Sequence, residues 1–127
     1  HTRSSAASDV YKRQDKAFNN KIIKNLEKHS LKEKYLLPSV KSNHLKFEEK
    51  RYWRGPVWIN CNWIIYQGLK NKNIKFANQI KRKTINLVKQ KGFNEYYSCK
   101  TGKGFGASNF SWTAALFLDL MLENKND

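Results

Sequence analysis

Glu95 lies in G-F-N-E-Y-Y, residues 92–97, and is the only carboxylate between Glu49 and Asp119. Flanked by Phe93, Tyr96 and Tyr97, it has two readings. On a surface it is a solvated charge; in an apolar cleft it could take a proton from water as a general base. The residue types alone favour the surface. A second group precedes it in R-Y-W-R-G-P-V-W-I-N-C-N-W, residues 51–63, which holds three of the four tryptophans. Polar groups among aromatic rings are costly unless they find partners. Arg54, Asn60 and Asn62 therefore either pair with groups elsewhere in a packed core or bond the hydroxyls of a sugar whose apolar face lies on the rings. The composition leaves these two readings even. A third stretch, G-K-G-F-G-A-S at 102–108, has the glycines of a phosphate loop. It lacks the Walker spacing and the Lys-Ser/Thr pair, and no apolar strand precedes it. Cys61 and Cys99 stand far apart with no CxxC and no paired His, so neither zinc nor a disulfide framework is signalled and no cofactor is expected.

These side chains need elements to carry them. Gly55-Pro56 marks a boundary, because proline suits the first turn of a helix and cannot continue one from behind. A helix over about 57–70 follows. Trp58, Cys61 or Asn62, Ile65 and Leu69 line one side of it, with Ile59, Trp63 and Tyr66 over much of the rest, so it is expected to be largely buried. Residues 74–91 repeat Ile74, Ala77, Ile80, Thr84, Leu87 and Val88 at helical spacing with Lys and Arg opposite, an outward amphipathic helix that Gly92 stops. Upstream, Phe18, Ile22 and Leu26 recur every four residues in 15–29, with Asp15 as cap. The polar connection around Pro38 has no helical period. Glycines at 102, 104 and 106 predict that 93–109 is loop, neither helix nor central strand. Residues 110–123 are apolar nearly all round apart from Asp119, which predicts an inner helix. The expectation is an all-α chain of four helices in an inner and an outer layer, with no strand.

The formal charge is +15, from 25 Lys and Arg against 10 Asp and Glu. Lysines scattered among Asn and Ile, without clustered arginines or a repeated aromatic platform, read as a solvated basic surface. The alternative is a small basic helical module binding RNA or another polyanion, whose mark is steep salt dependence. Otherwise no nucleic acid is expected. No apolar run approaches the roughly 20 residues of a membrane span. Residues 1–14, H-T-R-S-S-A-A-S-D-V-Y-K-R-Q, resemble an adaptor-derived scar. Residues 15–127 then begin inside a helical pattern without Met, as expected of the C-terminal piece of a longer protein. The compartment stays open.

Y-W-R-G-P-V-W-I-N-C-N-W-I-I-Y-Q-G-L, followed by G-F-N-E-Y-Y-S-C-K-T-G-K-G-F-G-A-S-N-F-S-W-T-A-A-L-F-L-D-L, resembles the C-terminal part of the catalytic domain of glycoside hydrolase family 63 and its mannosylglycerate-hydrolase-like relatives. The resemblance covers roughly residues 36–122, and both motifs are long and in order. It implies part of an (α/α)6 toroid and inverting hydrolysis of alpha-linked gluco- or manno-configured sugars by water. It also implies Glu95 as the general base and Trp53, Arg54, Gly55, Pro56, Trp58 and Asn60 as a sugar subsite, with Trp112 matching the tryptophan of the F-S-W-T block. The general acid of such domains is an earlier aspartate with no counterpart here. The implied partners are a carbohydrate and the rest of the same catalytic domain, and the fragment alone is expected to be inactive.

Overall fold

The computed structural model describes residues 16–30 and 33–123. The chain divides into two compact units, residues 1–31 and 32–127. The first carries α1, Lys16–Ser30, whose last turn holds Lys28 and His29, cations suited to the negative end of a helix dipole. Ile22 is exposed on it and Leu26 half-buried. The expected cap Asp15, the Phe18 side chain and the 1–14 tract lie outside the described residues.

The second unit contains α2 (Ile59–Leu69), α3 (Ile74–Lys91), β1 (Asn94–Tyr97), β2 (Gly104–Ser108) and α4 (Ser111–Leu122). Helix α3 has the expected span. Asn73 caps it by accepting the Phe76 N–H at 3.1 Å, and Gly92, at φ 79°, closes it by donating to Val88 O at 2.8 Å. Its buried face includes Phe76, Ala77, Ile80, Thr84, Leu87 and Val88, whereas Ile74, the first helical residue, is exposed.

Helix α2 starts later than the expected 57, because Val57 is committed to strand-like pairing. Its N–H donates to Tyr97 O at 2.8 Å, its carbonyl accepts the Tyr97 N–H at 2.9 Å, and a second bridge joins it to Pro38. Trp58, with extended dihedrals, is the N-cap. Asn62 is fully buried; its Oδ1 accepts the Leu37 N–H at 2.7 Å and its Nδ2 donates to Leu36 O. This side chain therefore belongs to the core, where it satisfies the backbone of a segment that has no helix of its own. That segment descends through successive tight turns, with N–H donors on His44, Phe47, Arg51 and Arg54 each bonded three residues back at 2.6–3.1 Å.

One expectation is corrected outright. Residues 93–109 are not all loop: β1 and β2 pair antiparallel, with Asn94 opposite Ser108, Tyr96 opposite Phe105 and Tyr97 opposite Gly104. Glycines at alternate positions weaken a central strand, but this is a two-stranded ribbon in which they make room. A Cβ on Gly104 would run into the Asn94 side chain, and one on Gly106 into the Glu95 carboxylate.

The core gathers beneath this ribbon from Val57, Ile59, Leu87, Val88, Tyr97 and Cys99, with Tyr35, Phe47, Leu116 and Phe117 packed against it. Burial pushes the Cys99 thiol up to about 11 and also raises Cys61, so both are protonated at neutral pH, the unreactive form. Helix α4 is apolar, yet among its residues only Thr113 and Leu120 are buried, while Trp112, Leu118 and Leu122 are exposed. Asp119, its polar exception, accepts from Trp63 Nε1 at 2.6 Å.

Candidate active site

The loop 51–56 is held from below by backbone. Glu48 N–H donates to Arg54 O at 2.8 Å, and Gly55 N–H donates to Ser39 Oγ at 3.1 Å. Gly55 is required here by close approach, since a Cβ would strike the Glu48 carbonyl. Gly55 and Pro56 are both buried, so in this chain they shape the loop.

Aromatic rings fill the space above. Trp58, almost fully buried, is stacked between Trp53 (centroids 4.3 Å, planes 15° apart) and Tyr96 (5.0 Å, 24°). Its Nε1 donates to Tyr52 O at 2.8 Å, satisfying the one polar atom of a buried indole. Tyr52 stands edge-on to all three rings, at 5.5 Å from Trp53, 4.6 Å from Trp58 and 5.4 Å from Tyr96. Trp53 is the outer plate, 51% exposed.

Glu95 sits where the hairpin register shifts, between the Asn94 and Tyr96 pairings. Such irregularities re-aim a side chain. Here the carboxylate accepts the Tyr52 hydroxyl on Oε1 at 2.7 Å and the Ala107 N–H on Oε2 at 3.0 Å. The Ala107 N–H, then the Tyr52 hydroxyl, hold the Glu95 carboxyl below its ordinary range, against a smaller opposing effect of desolvation. The same bond raises Tyr52. Glu95 is therefore ionised at neutral pH, and each of its oxygens keeps a lone pair for a further donor.

The structure thus brings together Trp53, Trp58 and Glu95 over a turn made by Gly55 and Pro56. Arg54 points to the same loop: its Nη1 lies 3.2 Å from Glu48 Oε1, a carboxylate shared with Arg51 at 3.1 Å, and its side chain is half-exposed. Asn60, in the first turn of α2, makes no side-chain hydrogen bond among the described residues and is half-buried. Trp112 is half-exposed in the first turn of α4 and joins no ring stack among the described residues. Its neighbour Thr113 ties that turn to β1, donating from Oγ1 to Asn94 O at 2.8 Å. Sequence reading missed Tyr52 and the Ala107 N–H as partners of Glu95. The signal for Tyr52 was its place directly before Trp53; nothing in the sequence marked Ala107. Among the described residues no group of three His, Cys, Asp or Glu could hold a metal ion, and no helix is long and apolar enough to cross a membrane.

Residues 10–113 match the mannosylglycerate hydrolase MGH1-like glycoside hydrolase domain. The chain is 45% identical over 93 residues to a mannosylglycerate hydrolase of Thermus thermophilus, covering 72% of this chain and 22% of that protein. It is 32% identical over 85 residues to a glucosylglycerate hydrolase of Mycolicibacterium hassiacum, covering 66% of this chain and 19% of the relative. The chain therefore spans about a fifth of the length of these relatives. Among solved structures, a GH63 mannosylglycerate hydrolase from Thermus thermophilus in complex with glucose superposes with a TM-score of 0.74 at 40% identity, over 81% of this chain and 27% of that one.

Proposed function

This chain belongs to the mannosylglycerate hydrolase MGH1-like glycoside hydrolase family, and on that premise we propose that it supplies the general base and one sugar-binding wall of an inverting alpha-glycosidase. Its fold is part of the (α/α)6 toroid of GH63 enzymes. The observation that carries the reading is a carboxylate kept ionised by two donors at the edge of a stack of rings. An ionised Glu95 can draw a proton from water as the water attacks the anomeric carbon, while the flat Trp53 face takes the apolar side of a pyranose.

Inversion needs a second carboxyl about 6.5–9.5 Å away to protonate the leaving oxygen. Glu48 is engaged by Arg51 and Arg54, and Glu49 accepts from Ser98 Oγ. The family resemblance supports placing the acid on an aspartate in an earlier part of such a domain, a part that would also cover the exposed Trp112, Leu118 and Leu122 of α4. Substrates of this class are a gluco- or manno-configured sugar alpha-linked to glycerate or to an oligosaccharide.

The test is hydrolysis of mannosylglycerate and glucosylglycerate by the full-length protein, with the first-formed anomer read by NMR. A beta sugar is expected. An alpha first product, or turnover by this chain alone, overturns the assignment.

The subsite carries its own expectation. In the full-length protein Trp53→Ala raises KM by about 10-fold, the equivalent of an aromatic contact worth about 1.4 kcal/mol. Arg54→Lys lowers kcat/KM, because a point charge cannot replace a planar fork. If neither constant moves, the rings and the Arg54–Glu48 pair are packing only.

A further inference from the structure

The geometry assigns Tyr52 as a positioning residue that aims the Glu95 carboxylate and couples it to the aromatic wall; this rests on Glu95 being the base. Three observations converge on it. Tyr52 is the one side chain of the 51–56 loop that reaches across to Glu95, donating to Oε1 at 2.7 Å over a separation of 43 residues. Its ring is clamped on three sides by Trp53, Trp58 and Tyr96, so the hydroxyl cannot swing away without disturbing the stack. Its own carbonyl is pinned by Trp58 Nε1.

The consequences concern direction and charge. With Oε1 taken by Tyr52 and Oε2 by the Ala107 N–H, the carboxylate plane is fixed at two points and only the remaining lone pairs can meet water. A sugar resting on Trp53 presses on a ring edge-packed against Tyr52, so the surface that seats the substrate and the group that orients the base are one body. Facing Glu95 are the Tyr52 hydroxyl from the loop, the Ala107 N–H and Gly106 from β2, and Tyr96 beside it on β1. No charged side chain among the described residues contributes to its shift.

Removing the hydroxyl has opposing effects. The carboxylate becomes more basic, since a donor to the charged form is lost. It also loses its aim, and proton transfer depends on geometry before basicity. The rings remain in Tyr52→Phe, so substrate stacking is preserved.

The experiment compares pH profiles of kcat and kcat/KM for full-length wild type, Tyr52→Phe, Trp53→Ala and Glu95→Gln. Tyr52→Phe is expected to move the acid limb to higher pH and to lower plateau kcat on the order of 10-fold with KM little changed. Trp53→Ala raises KM and, by removing one of the three rings that clamp Tyr52, also moves the limb to higher pH, by less than Tyr52→Phe. Because loss of the hydroxyl could disturb folding, Tyr52→3-fluorotyrosine, a stronger donor of the same shape, provides the opposite sign: its acid limb moves to lower pH. An unmoved limb in both Tyr52 variants, or an effect on KM alone, overturns the assignment of Tyr52 while leaving the base intact. Near-normal turnover by Glu95→Gln instead removes the base itself, and this inference with it.

Discussion

Glu95→Gln in the full-length protein lowers kcat on the order of 10²–10⁴-fold, the usual worth of general-base assistance, while KM for the sugar stays close to wild type. The substitution changes almost nothing but the proton acceptor. Gln has the same shape, and its carbonyl oxygen can still accept the Ala107 N–H; its amide can meet the Tyr52 oxygen, which is an acceptor as well as a donor. The hairpin is paired by backbone on both sides of Glu95, and the one cross-strand bond that this carboxylate adds, from the Ala107 N–H, can be kept by the Gln carbonyl. Loss of turnover with retained binding therefore isolates the chemical step. Turnover within a few-fold of wild type would remove Glu95 from the mechanism.

The second large effect is on stability. Asn62→Ala removes the side chain that satisfies both Leu37 N–H and Leu36 O in a fully buried position. Each stranded backbone group costs about 1–3 kcal/mol, so with two of them the variant is destabilised by about 2–6 kcal/mol. Urea unfolding should show a lower midpoint with the same slope. A change below ~0.5 kcal/mol, the range of an ordinary surface substitution, would show that water takes over these bonds. Because the affected segment leads into the Gly55 turn, the variant also loosens the ring stack.

Parts of this arrangement were legible in the sequence for identifiable reasons. Helix α3 was readable over its span because its apolar period is long and Gly92 marks its end, while the Asn73 cap emerged only from the structure. The burial of Trp58, Tyr66 and Leu69 was readable from their helical spacing, whereas composition left a packed core and a sugar wall equally open. The hairpin was not, since Gly104 and Gly106 argue against a strand until it is known that Asn94 and Glu95 occupy the space their side chains would fill. Asn60 and Asn62 could not be told apart, because the difference lies in a backbone segment 25 residues upstream. Tyr52 escaped for the same reason: its partner is distant in sequence, and local patterns report period and turn chemistry but not which groups meet across a fold. Only the long motifs, through their resemblance to a family, carried that information.

The joint at Val57 has one more consequence. Both motif loops are fastened to each other there by main-chain bonds, Val57 to Tyr97 in both directions, with Ser39 N–H donating to Pro56 O at 2.9 Å alongside. Main-chain pairing is indifferent to which side chains it carries, apart from proline. Side chains on the exposed side of the ring stack can therefore be exchanged without unhitching the frame that spaces them.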